Sequence, residues 1–116
     1  MLSPKSKISA MNDLTKKHCV PCENGDGKLH INTIKDYMPL VEGWFLIGDQ
    51  IKKDFQFKNF KEAMSFVNKV ADVAEEEGHH PDIYIFYNKV NLALYTHAAK
   101  GLTENDFIMA AKINAL

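Results

Sequence analysis

The amino-acid sequence predicts an α+β fold: a four-stranded antiparallel sheet with helices packed on one face, in the order α-β-β-α-β-β-α. Three observations carry that expectation. Residues 44–57 and 82–96 are β-prone, and each stretch is divided by a short turn signal, as in a β-hairpin. The run between them, 59–77, places its apolar residues at helical spacing. One layer of helices is then available to cover one face of a sheet built from both hairpins.

Residues 1–116 read as one domain, a length that buries roughly two-thirds of the surface its unfolded chain exposes. Residues 1–11 (MLSPKSKISAM) read as a flexible leader. Residues 12–30 read as a loop-rich segment, with Asn24-Gly25-Asp26-Gly27 as a loop signal. Ile34, Tyr37, Met38 and Val41 outline a short helix, capped near Asn32 or Thr33 and ended by Pro39 and Gly43. Trp44 to Ile47 and Ile51 to Phe57 flank Gly48-Asp49 as the first hairpin, with Ile51, Phe55 and Phe57 on one face.

Asn59 opens the strongest helix, with Glu62 at capping-box spacing. Phe60, Ala63, Met64, Val67, Val70, Ala71 and Ala74 form its apolar stripe, read as core packing. Glu75, Glu76 and Glu77 end it against the macrodipole, a small local cost that raises a functional question about them. Gly78 suits the left-handed position that follows. Asp82 to Tyr87 form the next strand, Asn88-Lys89 the expected two-residue turn, and Val90 to Thr96 the returning strand. The strand from Asp82 is apolar on both faces: Ile83, Ile85 and Tyr87 on one, Tyr84 and Phe86 on the other. Its second face must meet ligand, another chain or water. Gly101 breaks the chain. Thr103 caps a last helix holding Phe107, Ile108, Ala110, Ala111 and Ile113.

Hydrophobic residues make up 46% and charged residues 25% of the chain, which is globular composition and excludes a disordered tail protein. No apolar run approaches ~18–20 residues, so no membrane-spanning helix is expected. The first eleven residues lack the apolar stretch of a secretory signal, so a cytoplasmic location is expected. The net charge is -1, and all fourteen basic residues are lysine. Residues 1–58 carry nine lysines against seven acids, and residues 59–116 five against eight. With no clustered positive charge and no arginine fork, direct nucleic-acid binding and polyphosphate clamping are not expected.

Cys19 and Cys22 form a Cys-Val-Pro-Cys motif beside His18. A structural zinc site needs four ligands, and no second cysteine pair exists. His18 and His30 could in principle complete one, but adjacent His18 and Cys19 are badly placed to share a tetrahedral ion. A redox motif would open a helix after a strand. Reduced thiols in a cytoplasmic protein are the default reading.

The expected turn pairs positions that sum to 177, so His80 is expected to face His97 across the open end of the second hairpin. His79 joins them, and the helix end carrying Glu75 feeds into the same place. Imidazoles give and take protons near neutral pH, and a nearby carboxylate fixes their tautomer. Acid–base chemistry, a three-histidine metal site and a structural polar cluster all fit this spacing.

The segment EEEGHHPDIYIFYNKV, continuing to NLALYTHAAKGLTENDF, closely resembles the pterin-4a-carbinolamine dehydratase family. The family pattern corresponds to Glu75, His79-His80-Pro81, Tyr87-Asn88-Lys89-Val90, Thr96-His97 and Gly101-Leu102-Thr103 with Asp106. The resemblance also includes the Trp44 hairpin and the helix from Asn59. It runs from about residue 28 to the end of the given sequence, and the combined motif is highly specific. The Cys19–Cys22 stretch resembles the N-terminus of bacterial members. Ile83 stands where animal members often carry Trp, and Ala98 where they carry an acid.

The resemblance implies a dehydratase that converts 4a-hydroxytetrahydropterin to quinonoid dihydropterin plus water, in tetrahydrobiopterin recycling for aromatic amino-acid hydroxylation. It implies His79, His80 and His97 as catalytic acid and base, with His80 central. It implies Glu75, Pro81, Thr96, Ala98 and Asp106 as substrate-binding or orienting residues. Asp106 also has a simpler reading, as a helix N-terminal acid after Thr103. No redox change occurs, so the resemblance implies no electron-carrying cofactor; no metal is expected either. The two-faced hairpin and apolar helix faces permit a homodimer or homotetramer, and the resemblance makes an aromatic amino-acid hydroxylase a candidate further partner. The competing expectation is a protein-interaction or transcriptional co-regulator module acting through oligomerisation, as in animal members.

Overall fold

One strand from each hairpin forms the centre of the sheet. A computed structural model describes residues 13–21 and 27–116, so the leader at 1–11, Cys22 and the Asn24-Gly25-Asp26 part of the loop signal lie outside the described residues. A short 3-10 turn, Asp13–Lys16, comes first. Helix α1 (Ile31–Tyr37) runs into a second 3-10 turn, Met38–Leu40. Strands β1 (Phe45–Ile47) and β2 (Gln50–Gln56) make the first hairpin. Helix α2 (Phe60–Glu77) leads to β3 (Asp82–Phe86) and β4 (Lys89–Leu94). A 3-10 turn at His97–Ala99 precedes helix α3 (Glu104–Asn114). The predicted element order holds, with the extra turn at the front.

The sheet is antiparallel throughout, in the order β1-β2-β4-β3. Period-2 alternation sends Ile51, Val90, Leu92 and Leu94 to one face, where all four are buried. Ala63, Val67, Val70 and Ala74 of α2, and Phe107, Ile108 and Ile113 of α3, join them in one core. Each large side chain buried there contributes about 1.5–3 kcal/mol. Leu14, from the N-terminal turn, is buried in the same core, so residues 13–21 are anchored rather than trailing. The other sheet face stays open, with Phe45, Tyr84 and Phe86 exposed.

Two local expectations are corrected. Helix α1 is capped by His30, whose Nδ1 accepts the Asn32 N–H at 3.3 Å, not by Asn32 or Thr33. The β3–β4 turn holds Tyr87-Asn88, not Asn88-Lys89, so Phe86 pairs with Lys89 and Asp82 with Ala93. Paired positions therefore sum to 175, and His80 does not face His97 in the ladder. Cross-hairpin bonds fix this register. The Phe57 N–H donates to Asn88 O at 2.8 Å, and Asn88 Nδ2 donates to Phe57 O at 3.0 Å. They hold Asn88 in the turn, and Tyr87 takes φ 51° to close it.

Helix α2 is bounded as its residues dictate. Asn59 Oδ1 accepts the Glu62 N–H at 2.9 Å, and Gly78 ends the helix in the left-handed region at φ 67°. A Cβ on Gly78 would meet nothing within 4 Å, so only backbone strain opposes a substitution. Gly78→Ala is expected to cost about 1–2 kcal/mol in urea unfolding. Unchanged stability would contradict that account.

Candidate active site

An open cleft of about 440 Å³ lies where the end of α2, the segment after β4 and residues 19–21 meet. His79, His80 and His97 all line it, together with Thr96 and Ala98. The three histidines thus converge, although strand pairing does not bring them together. His79 and His80 follow the Gly78 cap directly. The chain beyond β4 supplies His97: Thr96 bridges to Gly101, with the Thr96 N–H donating to Gly101 O at 3.0 Å. That small loop throws the His97–Ala99 turn over the cleft.

Asp106 lies beneath, with no exposed surface. Its Oδ2 accepts the Thr103 N–H at 2.9 Å and the Thr96 hydroxyl at 2.7 Å. Its Oδ1 lies 2.6 Å from His79 Nε2. A carboxylate only accepts, so His79 Nε2 carries the proton of that bond, leaving Nδ1 as the nitrogen that can take one. The two readings of Asp106 therefore describe one residue: it caps α3 and orients a histidine at once. Thr96 is buried and spends its hydroxyl proton on Asp106 while accepting from Thr103 Oγ1 at 2.9 Å.

The other two imidazoles sit in different surroundings. His80 Nε2 donates to Glu75 Oε2 at 2.5 Å, and both side chains are largely exposed. His97 packs edge-on against Tyr95, ring centroids 4.8 Å apart. Glu75, Pro81 and Asp106 do not line the cleft. Glu75 supports His80 from outside, and Asp106 supports His79 from below. Pro81 is buried at the start of β3, where its missing N–H costs no ladder bond.

Seven lining residues were not among the predicted site residues: Cys19, Val20, Pro21, Glu77, Gly78, Tyr95 and Asn105. Glu77 is buried at the end of α2, and its Oε1 accepts the Cys19 N–H at 2.7 Å. Its Oε2 lies 2.9 Å from His18 Nδ1 and 3.4 Å from Lys112 Nζ. Burial pushes this carboxyl up, but the Cys19 N–H, His18 and Lys112 outweigh it and hold it below the ordinary 4.5. Burial and the neighbouring Glu77 push the Cys19 thiol up to about 12, so it stays protonated near neutrality and is a poor nucleophile. The one advance signal was the run of acids at a helix C-terminus.

A family model described as pterin 4 alpha carbinolamine dehydratase matches residues 27–116. A putative pterin-4-alpha-carbinolamine dehydratase from Alkaliphilus metalliredigens (strain QYMF) is 45% identical over 106 residues, covering 90% of this chain and 96% of its own. Pterin-4-alpha-carbinolamine dehydratase 2, mitochondrial, of Arabidopsis thaliana is 42% identical over 113 residues, covering 92% of this chain and 60% of its own. A crystal structure of a transcriptional coactivator/pterin dehydratase from Brucella melitensis matches with a TM-score of 0.73 at 34% identity, covering 76% of this chain and 96% of that one.

Glu77 makes the docking of residues 18–20 sensitive to acid. A carboxyl whose folded pKa is depressed contributes stability above its unfolded value, and that contribution is lost as pH falls through the folded value. The Cys19 amide cross-peak in a 15N–1H spectrum is therefore expected to titrate with a midpoint below 4.5. A midpoint at or above 4.5 would contradict the charged, buried Glu77.

Proposed function

The chain belongs to the pterin 4 alpha carbinolamine dehydratase family, and on that premise we propose that it converts 4a-hydroxytetrahydropterin to quinonoid dihydropterin plus water by histidine general acid–base catalysis. The observation that supports this most is the convergence of His79, His80 and His97 on one open cleft. The reaction breaks the C4a–O bond and forms a C4a–N5 double bond. The departing hydroxyl needs a proton to leave as water, and N5 must lose one. Electrons move from the N5 lone pair into the new double bond, so nothing is oxidised or reduced.

His80 is the central residue of this reading, and His79 and His97 flank it as alternate acid and base. Asp106 fixes the His79 tautomer from below, and Glu75 does the same for the exposed His80. The cleft volume falls within the range typical of small-molecule sites. General acid–base help is typically worth 10²–10⁴-fold, enough where a ring nitrogen already pushes out the hydroxyl. The same reading places the enzyme in tetrahydrobiopterin recycling in the cytoplasm, with an aromatic amino-acid hydroxylase upstream of it. Among the described residues, no helix is long and apolar enough to cross a membrane.

A second reading rests on a different surface. Phe45, Tyr84 and Phe86 form an exposed apolar group on the open sheet face. That face suits a homodimer or homotetramer, and the Brucella melitensis relative is titled a transcriptional coactivator as well as a dehydratase. Catalysis by purified protein with no partner present separates an enzyme from a pure interaction module.

The deciding measurement is the dehydration rate, followed by absorbance. Wild-type protein is expected to accelerate it, and His80→Ala and His97→Ala are each expected to lower kcat by about 10²–10⁴-fold. Near-normal rates in both variants would overturn the mechanism.

A further inference from the structure

Residues 18–21 have no regular secondary structure and no strand neighbour, yet they are held at the cleft. Asn105 takes both polar groups of one residue: Oδ1 accepts the Val20 N–H at 3.0 Å, and Nδ2 donates to Val20 O at 2.6 Å. The Cys19 thiol donates to the Asn105 carbonyl, with Sγ 3.6 Å from O. One residue back, the Cys19 N–H reaches the buried Glu77. Lys17 Nζ meets Glu104 Oε2 at 2.9 Å, and Leu14 sits in the core. Residues 14–20 are thus pinned through Leu14, Lys17, Cys19 and Val20 onto the hydrophobic core, the end of α2 and the first turn of α3.

The anchored residues lie before the family match, which begins at residue 27, while their partners Glu77, Glu104 and Asn105 lie within it. The histidines belong to the matched domain, while Cys19, Val20 and Pro21 reach the same cleft from outside it. Val20 lines the cleft and has 65% of its surface exposed. An apolar side chain that open gains little from folding, but it would gain from covering a flat heterocycle. Anchoring a loop beforehand lowers the ordering cost that a ligand would otherwise meet.

We propose that residues 19–21 form a fixed wall of the pterin site, with Val20 contacting the substrate ring and with Glu77 and Asn105 as the positioning residues that seat the wall. This deepens the dehydratase reading and rests on it. The wall acts on binding, while proton transfer stays with the histidines. Binding energy lost here should appear in KM rather than in kcat.

Two full-length variants test this. Asn105→Ala removes both bonds to Val20 while placing a strong helix former in α3. Val20→Ala trims the exposed side chain and leaves the backbone bonds in place. Three quantities are read: hydrogen exchange at the Cys19 and Val20 amides, KM and kcat for dehydration, and Kd for a non-reacting 7,8-dihydropterin. In Asn105→Ala, the Val20 amide is expected to lose protection, and KM and Kd to rise about five- to tenfold with a smaller change in kcat. In Val20→Ala, protection is expected to persist while KM and Kd rise about threefold. A merely structural segment predicts no binding change in Val20→Ala, because that side chain is exposed.

Unchanged Kd in both variants would overturn the wall. Persistent Val20 protection in Asn105→Ala would overturn the seating role of Asn105. A loss confined to kcat would do the same for the division of labour. Wild-type protein that binds the dihydropterin but does not dehydrate the substrate would sink the dehydratase reading alone, since the binding and exchange results still judge the wall.

Discussion

A carboxylate with no exposed surface must find its hydrogen bonds inside the protein, and Asp106 finds three. One secures the N-terminus of α3, one ties down Thr96 beyond β4, and one aims His79. Leaving a charged group buried without partners would cost several kcal/mol. The three elements are therefore bound to one another by a penalty none can escape alone. Replacing the acid would release the helix start, the His97 loop and the first histidine together.

The neighbours of Asp106 extend this logic along one helical turn. Glu104 accepts from the Tyr37 hydroxyl at 2.8 Å and meets Lys17, which ties α1 and the N-terminal segment to α3. Burial and the Glu104 carboxylate push the Tyr37 hydroxyl up to about 12, so it remains a donor. Asn105 holds Val20. Three successive residues thus point at three different parts of the molecule. They can do so because successive helical residues face about 100° apart, and because the first turn has unsatisfied N–H groups that favour acids there. The sheet plays the complementary role. Its buried Val90, Leu92 and Leu94 hold β4 rigid up to the point where the chain departs to carry Thr96 and His97.

What was legible in the sequence followed from periodicity and local chemistry. The Asn59 cap, the α2 stripe and the Gly78 terminus depend on residues within a few positions of one another; the cap and terminus hold, and the stripe holds at Ala63, Val67, Val70 and Ala74, with Met64 half-buried, while Phe60 and Ala71, expected in the core, are exposed. The register of the second hairpin did not yield to the same reasoning. Asn88 looks like a turn residue wherever it sits, and the bonds that place it second in the turn come from Phe57, a residue of the other hairpin. The histidine cluster was found for a partly wrong reason, since the Thr96–Gly101 bridge, not strand pairing, carries His97 to the cleft. The run of acids flagged Glu77 but not its partner, and Asn105 escaped notice, because the groups they hold lie 58 and 85 positions away. No local pattern marks a contact of that range.

The acids at the end of α2 show how a broken local rule points to a site. Carboxylates at a helix C-terminus cost about 0.3–1 kcal/mol each when exposed. A charge-assisted hydrogen bond returns about 1.5–3 kcal/mol, so one good partner outweighs the penalty. Glu77 has the Cys19 N–H, His18 and Lys112, and Glu75 has His80. The remaining acid, Glu76, is exposed and bears the cost with little burial to magnify it. Glu77 thus gains more at the cleft than it loses to the helix, while the largely exposed Glu75–His80 pair does little more than offset its cost. A sequence selected for helix stability alone would have put lysine at these positions, so the fold accepts a strained helix end to serve the groups gathered around the histidines.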